Sequence, residues 1–156
     1  MIVHTRVDNR LLHGIVATQW APKSGCTRVM VIDDTIANDS VLKESMKLGR
    51  PAGNAVSIIT LDKAIVNFKA NKYDGQKVFI IVKEVSTLEK LIDNGVCIEK
   101  INVGGTVKKD NAIALSKRAY ADENDVAIYK RLIDKGIEVC IQYVPADKIV
   151  NIKDIL

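Results

Sequence analysis

The first twenty residues, MIVHTRVDNRLLHGIVATQW (1–20), decide how the chain folds. Residues 1–7 are largely apolar and predict a buried strand, and a short amphipathic helix follows the turn. Within that turn, Asp8, Arg10 and His13 bring together an acid, a guanidinium and an imidazole. A strand that leads through a short turn into a helix is the first half of a βαβ unit, so the stretch predicts a parallel sheet with a polar turn at its edge.

The residue types in this turn suit a phosphate held beside a histidine. His13 is predicted at the N-terminus of the helix, where free N–H groups and the helix dipole favour an anion. Gly14 allows a sharp turn and the close approach of a bulky group. Arg10 offers a planar fork of donors, and Asp8 can orient either the arginine or the imidazole.

Each of these residues also has an ordinary structural interpretation. A lone histidine is usually a surface or core residue, but the position of His13 beside Asp8 and Arg10 favours a function, and we expect it to be an exposed loop nucleophile. Arg10 by itself could be a solvated charge, and Asp8 a turn former. His4 lies inside the predicted strand and is interpreted as structural.

The rest of the chain alternates apolar runs with helical patterns, and no linker or internal repeat divides it. The alternation predicts an α/β fold: an open, mostly parallel, doubly wound sheet with helices on both faces, in a single domain over 1–156. Residues 86–89 read as a capping box, and 107–121 are ambiguous, with a possible helix over 111–117. The predicted strands after the first are 28–32, 55–59, 77–82, 99–103 and 138–144.

Further polar groups follow other predicted strands, at the edge where such sheets bind ligands. Gly104-Gly105-Thr106 could offer backbone amides and a hydroxyl to the same phosphate, so Gly105 and Thr106 join Gly14 as expected phosphate-binding residues. Asp33-Asp34 raises the alternative of a magnesium-binding acidic pair, as in receiver domains, but the order of acids and lysine does not fit one. We therefore expect no metal.

The composition of the chain argues against several other kinds of site and partner. The three cysteines lack C-x-x-C spacing, which argues against disulfides and zinc. The formal charge of +4 is dispersed, and aromatics make up only 4% of residues, so no nucleic-acid partner is expected. There is no G-x-G-x-x-G or Walker motif, and no cofactor is predicted. With no signal peptide or membrane-spanning run visible, we expect a cytoplasmic protein.

The turn also resembles a family signature. Residues 6–14, RVDNRLLHG, are similar to the R-I-D-D-R-L-I-H-G-Q-V usual in the EIIB components of mannose/fructose/sorbose-type sugar phosphotransferase systems. Asn9 and Ile15 depart from it, standing where the family usually has Asp and Gln; if that Gln binds phosphate or a partner, this chain lacks the contact. The similarity continues along the chain, at 32–39, 101–105, 136–139 and 144–145.

The resemblance implies a phosphocarrier. Such an EIIB takes a phosphoryl group from a histidine of EIIA onto its own histidine, here His13, on Nδ1, and passes it to a sugar carried by the membrane components EIIC and EIID, with which it associates peripherally. It also implies a loop and short strand near 118–120. The similarity at residues 18–20 and 140–142 favours a family member of the N-acetylgalactosamine type. The alternative from another class is a non-catalytic small-anion or nucleotide-binding module of doubly wound fold.

Overall fold

A computed structural model describes residues 1–156 as a twisted sheet with helices on both faces. No helix is long and apolar enough to cross a bilayer. The strands are β1 (Ile2–Asp8), β2 (Arg28–Ile32), β3 (Ala55–Ile59), β4 (Val78–Val82), β5 (Lys100–Gly105), β6 (Ile113–Ala114), β7 (Tyr120–Ala121), β8 (Glu138–Ile141) and β9 (Val150–Asn151). The helices are α1 (Ala21–Ser24), α2 (Asp34–Ala37), α3 (Ser40–Lys47), α4 (Leu61–Lys69), α5 (Val85–Asp93) and α6 (Glu123–Asp134).

Seven strands form the main sheet in the order β3-β2-β4-β1-β5-β8-β9, and all pairs except β8–β9 are parallel. The predicted doubly wound α/β sheet is therefore confirmed. The antiparallel strand β9 was not predicted, because it is only two residues long and lies in a short amphipathic tail.

Side chains of the central strands alternate between two cores, as the two-residue period of a strand requires. In β4, Val78, Ile80 and Val82 enter a cluster of 26 buried residues, and Phe79 and Ile81 enter a cluster of 11 on the opposite face. Helices α4, α5 and α6 cover the larger cluster. The helical segment that follows β1 covers the smaller one, so the two sides of the sheet are filled by different parts of the chain.

Helix starts follow the side chains that can satisfy free N–H groups. Thr60 caps α4 by accepting from the amide of Lys63, and Asp122 and Asp125 form a capping box at α6. The capping box predicted at 86–89 is wrong: α5 begins at Val85 after Glu84, whose side chain makes no cap hydrogen bond. Asp33 caps the short helix α2, and Asp39 caps α3, which follows it directly.

The ambiguous segment 107–121 contains no helix. It forms the two-stranded antiparallel hairpin of β6 and β7, which agrees with the loop and short strand that the family resemblance implies. The carboxylates of Asp33 and Asp34 both accept backbone hydrogen bonds. Asp33 caps α2, and Asp34 accepts from the amide of Leu61.

Candidate active site

The turn after β1 lies where the winding of the sheet reverses. The helical segment that follows β1 packs on one face, whereas α5 after β4 and α6 after β5 pack on the other. Because β4 and β5 are the two neighbours of β1, the chain leaves adjacent strands in opposite directions at their carboxyl ends. Such a switch point opens a crevice, the usual ligand site of this architecture.

Asp8 and His13 form the centre of the site. Oδ2 of Asp8 lies 3.0 Å from Nε2 of His13, and Oδ1 accepts from the backbone amide of Arg10 at 3.0 Å. Burial alone would raise the pKa of Asp8, but the hydrogen bond from His13, the charge of Arg6 and the amide of Arg10 outweigh it, so the pKa lies below its usual value. Asp8 is therefore ionised at neutral pH.

The ionised carboxylate decides the state of the imidazole. A carboxylate can only accept hydrogen bonds, so Nε2 of His13 must be the donor. In a neutral imidazole the other nitrogen, Nδ1, then carries the lone pair. Nδ1 has no hydrogen-bond partner in the protein. The geometry thus leaves Nδ1 as the nucleophilic atom.

Asp8 is itself held by Arg6, a fully buried arginine in β1. Nε of Arg6 donates to Asp8 at 3.0 Å, and its two terminal nitrogens donate to the side chain of Asn102 at 2.6 Å and to the carbonyls of Gln142 and Tyr143 at 3.1 and 2.9 Å. All three nitrogens of the guanidinium therefore have partners. Breaking a buried ion pair of this kind by removing one partner typically costs about 3–5 kcal/mol.

Two features make room for this guanidinium. Gly104 lies against it, and a Cβ built at Gly104 would overlap the Arg6 head group, so only glycine fits. The indole of Trp20 lies under it, with the Arg6 Cζ 4.9 Å from the ring centroid, and donates through Nε1 to the Tyr143 carbonyl at 2.9 Å. Residues of β1, of the helical segment that follows it, of β5 and of the segment after β8 therefore all surround the Arg6 guanidinium.

The prediction that His13 is an exposed loop residue is wrong. Its side chain is only 8% exposed, and Nδ1 is covered as well as unpartnered. The cause is the backbone of the turn: Leu11 takes a positive φ of 57° and is buried, as is Leu12, which pulls the loop onto the sheet. Reaction at Nδ1 therefore requires the loop to open locally.

Gly14 does not make the sharp turn that the sequence suggested, because the positive φ belongs to Leu11. Gly14 instead begins the helical segment, which continues through a π-helical turn (Val16–Trp20) into α1. A Cβ at Gly14 would meet nothing within 4 Å, so the space in front of it is open. The backbone amides of Gly14 and Ile15 donate to no group of the protein and remain available to an anion.

Arg10 is exposed, and its side chain makes no hydrogen bond or ion pair. It lies three residues before His13 on the same turn, and its guanidinium has no carboxylate partner. Ile15, at the position where the family signature has Gln, packs against the smaller core.

The two predicted phosphate ligands after β5 are placed otherwise than expected. Gly105 is the last residue of β5, is buried, and accepts the amide of Asn9 at 2.9 Å. The hydroxyl of Thr106 donates to the carbonyl of Tyr120 and accepts from its amide, and the Thr106 amide donates to Arg118. Neither donor of Thr106 is free, so Thr106 offers no group to a phosphate in this structure. The Gly105 carbonyl is likewise engaged, by the amide of Asn9.

Sequence reasoning missed Arg6 and Asn102 as parts of the site. A signal was present: both interrupt apolar strands, and a buried charge needs partners. Arg6 and Asp8 are also two apart in a strand and so share a face. No cluster of three or more histidine, cysteine, aspartate or glutamate side chains could hold a metal ion.

Comparison with known proteins agrees with this geometry. Residues 2–156 match the family of the PTS system sorbose subfamily IIB component. The chain is 31% identical over 147 residues to the sorbose-specific EIIB component of Lacticaseibacillus casei, covering 94% of this chain and 90% of that protein. It is 31% identical over 154 residues to the N-acetylgalactosamine-specific phosphotransferase enzyme IIB component 1 of Escherichia coli K12, covering 98% and 97%.

Other relatives are longer, and solved structures agree in fold. The mannose-specific EIIAB component of E. coli K12 is 30% identical over 151 residues, but this chain spans only 47% of that protein. The IIB domain of the sorbose permease from Klebsiella pneumoniae superposes with a TM-score of 0.93 at 27% identity, covering 99% of this chain and 94% of that one. The resemblance seen in residues 6–14 is confirmed: the chain belongs to the sorbose-type IIB family of sugar phosphotransferase system components.

Proposed function

We propose that the chain is a phosphocarrier that takes a phosphoryl group from a phosphorylated histidine of EIIA onto Nδ1 of His13. It then passes the group to a sugar held by the membrane components EIIC and EIID, acting as a protein-Nπ-phosphohistidine–sugar phosphotransferase at the membrane surface. The observation that carries the proposal is the His13 imidazole itself: an ionised Asp8 holds Nε2 at 3.0 Å, and Nδ1 has no partner.

The first transfer uses groups of the turn itself, once the loop has opened at Nδ1. The Nδ1 lone pair forms a bond to phosphorus while the bond from phosphorus to the donor imidazole breaks. Positive charge then develops on the His13 ring, and Asp8 stabilises it through the Nε2–H bond. Arg10 and the amides of Gly14 and Ile15 provide positive charge for the phosphoryl oxygens.

The second transfer reverses the roles at phosphorus. A sugar hydroxyl oxygen attacks and its proton passes to solvent, while the Nδ1–phosphorus bond breaks and the electron pair returns to the ring. Imidazole is a good leaving group near neutral pH, so positioning and charge stabilisation suffice. A family composed of phosphotransferase components removes support from the nucleotide-binding alternative.

The relatives support the partner and the sugar in less detail than they support the phosphocarrier role. The mannose-specific relative combines A and B components in its name, which supports an EIIA protein as the donor. Identity to the sorbose-specific and the N-acetylgalactosamine-specific relatives is the same, 31%, so identity alone does not favour the N-acetylgalactosamine type.

The test is transfer of labelled phosphate from a phosphorylated EIIA protein of the mannose type. The chain has two histidines, so His13→Gln and His4→Gln form a matched pair. We expect acid-labile label on the natural chain and on His4→Gln, none on His13→Gln, and none with ATP alone. Label that persists on His13→Gln, or that arises from ATP, would refute the proposal. Circular dichroism controls for folding.

A further inference from the structure

Strand β3 leaves one edge of the main sheet open. It pairs only with β2, in parallel register from Ala55 to Ile59. The amides of Ala55 and Ser57 face β2 by alternation, so those of Val56 and Ile58 point away from it. Neither of these two amides donates to another group of the protein. Val56 is half-buried, so its unpaired main-chain groups are accessible at this edge. Ile58 is only 2% exposed, so pairing at its amide requires the flanking side chains to move aside.

A basic groove runs along this edge. It measures about 320 Å³ and is bounded by side chains of α3, α4 and the loop before β4. None of the residues that line the groove is acidic, and five are basic: Arg28, Lys43, Lys47, Lys63 and Lys72.

Internal ion pairs do not neutralise these cations. Only Lys47 has a carboxylate partner, Glu44 one turn away at 3.2 Å, and that pair is exposed. Arg28 is fixed by neutral groups, donating to Gln76 at 2.6 Å and to Ser57 at 2.7 Å. The groove thus combines an open strand edge with uncompensated positive charge.

The charge decides which strand can pair with this edge. Lysines beside an edge strand discourage pairing with a second copy of the same chain, because the two basic grooves would face each other. The same lysines attract a strand that carries carboxylates. We propose that the open edge of β3 binds an extended acidic segment of a partner protein, which adds to the sheet as a further strand.

This surface is separate from the proposed phosphocarrier site. β2 and β4 lie between β3 and β1, and three strand spacings amount to about 14 Å. The groove is lined by Arg28 and by residues of α3, β3, α4 and the loop before β4, whereas the site around His13 is built from β1, β5 and the segment after β8. A partner seated on β3 can therefore hold the protein while His13 exchanges its phosphoryl group.

Three synthetic peptides test the proposal. One alternates glutamate and valine, the second alternates lysine and valine, and the third keeps the glutamates but replaces the valines with proline to remove N–H donors. We expect only the first to bind the full chain, with NMR shifts at the amides of Val56 and Ile58 and slowed hydrogen exchange at the amide of Val56, the more accessible of the two. Equal binding of the lysine or proline peptide would overturn the proposal, as would shifts confined to other strands.

Charge reversal provides matched variants. The double change Lys43→Glu with Lys63→Glu should weaken binding of the glutamate peptide roughly tenfold, since several exposed charge contacts change sign. Lys130→Glu with Lys153→Glu makes the same change in net charge on exposed residues outside the groove and should leave binding unchanged. Both variants should accept phosphate at His13 at the natural rate. Equal loss in the two variants, or dimers of the natural chain formed through β3, would contradict the proposal.

Discussion

At the scale of single residues, Asp8 connects the rigid and the reactive parts of the site. One of its oxygens receives both Arg6 and His13, and the other receives the amide of Arg10. Arg6 is immobile because four groups hold it, whereas His13 lies on a turn that must open. Asp8 thus transmits the rigidity of β1 to the imidazole and fixes which nitrogen is free.

Replacement of Asp8 tests this positioning role. In Asp8→Asn the side chain can also donate, so Nε2 of His13 loses its fixed state and the Nδ1–H tautomer becomes populated. A charge-assisted hydrogen bond is worth about 1.5–3 kcal/mol, so phosphoryl acceptance should slow roughly ten- to hundredfold. Nitrogen-15 NMR of the histidines measures the tautomer beside the rate. A slow variant with an unchanged His13 tautomer would show that the loss is only structural.

Arg10 is the residue whose predicted role depends on its exposure. Arg10→Ala removes a charge-assisted contact to the phosphoryl group, and acceptance from phosphorylated EIIA should again slow about ten- to hundredfold. Arg10→Lys should recover only part of the rate, because an ammonium lacks the planar fork. Since the Arg10 side chain touches no protein group, neither variant should change the unfolding midpoint. Full activity of Arg10→Ala would remove the residue from the mechanism.

At this scale, the sequence identified the residues of the site more successfully than it predicted the role of each residue. Asp8 and His13 were found, and the structure brings them into contact. The turn was assigned to Gly14 because glycine favours positive φ, yet Leu11 adopts it, since burial of its side chain compensates for the backbone cost. Asn102, 96 residues from its partner Arg6, could not be linked to it by spacing alone.

At the scale of elements, local patterns predicted several strands closely. β2 and β3 have the predicted bounds, because each is a short, mostly apolar run of the length typical of a strand. β5 extends two residues beyond its predicted end, through Gly104 and Gly105. Glycine pairs normally indicate a loop, but here the close approach of Arg6 requires a residue without a side chain.

The hydroxyl of Thr106 is one of the groups that hold the hairpin of β6 and β7 in place. Thr106 binds both backbone groups of Tyr120, at 2.6 and 2.9 Å, so it fastens the hairpin to the end of β5. Thr106→Val should cost about 1–3 kcal/mol of unfolding free energy, whereas Thr106→Ser should restore most of it. Denaturant unfolding followed by the single tryptophan measures this. If Thr106 binds phosphate instead, Thr106→Val would slow phosphoryl acceptance without lowering stability.

At the scale of the whole molecule, the sheet divides the interior into two cores, and His4 faces the smaller one. Its ring stacks on Trp20 at 5.1 Å and meets the edge of Phe79 at 4.8 Å, and its Nε2 is buried without a partner. Burial, reinforced by the charge of Arg6, lowers the pKa of His4 from 6.5 to about 4. The structural interpretation of His4 agrees with this packing.

The lowered pKa of His4 makes global stability depend on pH with a definite sign. Above pH 6.5 the ring is neutral in both states, so it contributes no slope. Between 6.5 and about 4 only the unfolded chain takes up the proton, so unfolding becomes easier as pH falls. From pH 7 to pH 5 the loss should be about 2 kcal/mol. Asp8, whose pKa is lowered from 3.8, adds its own loss only at more acidic pH.

Two variants isolate this contribution. His4→Gln should remove most of the slope between pH 7 and pH 5 whatever it does to absolute stability, because the comparison is between two pH values for the same protein. His13→Gln removes the other histidine and should leave the slope of His4 in place. Urea unfolding followed by Trp20 fluorescence gives the free energies. An unchanged slope in His4→Gln would mean that the folded protein protonates His4 as easily as the unfolded chain does. That outcome would contradict the Coulomb repulsion expected from Arg6, which is separated from His4 by only one residue in β1.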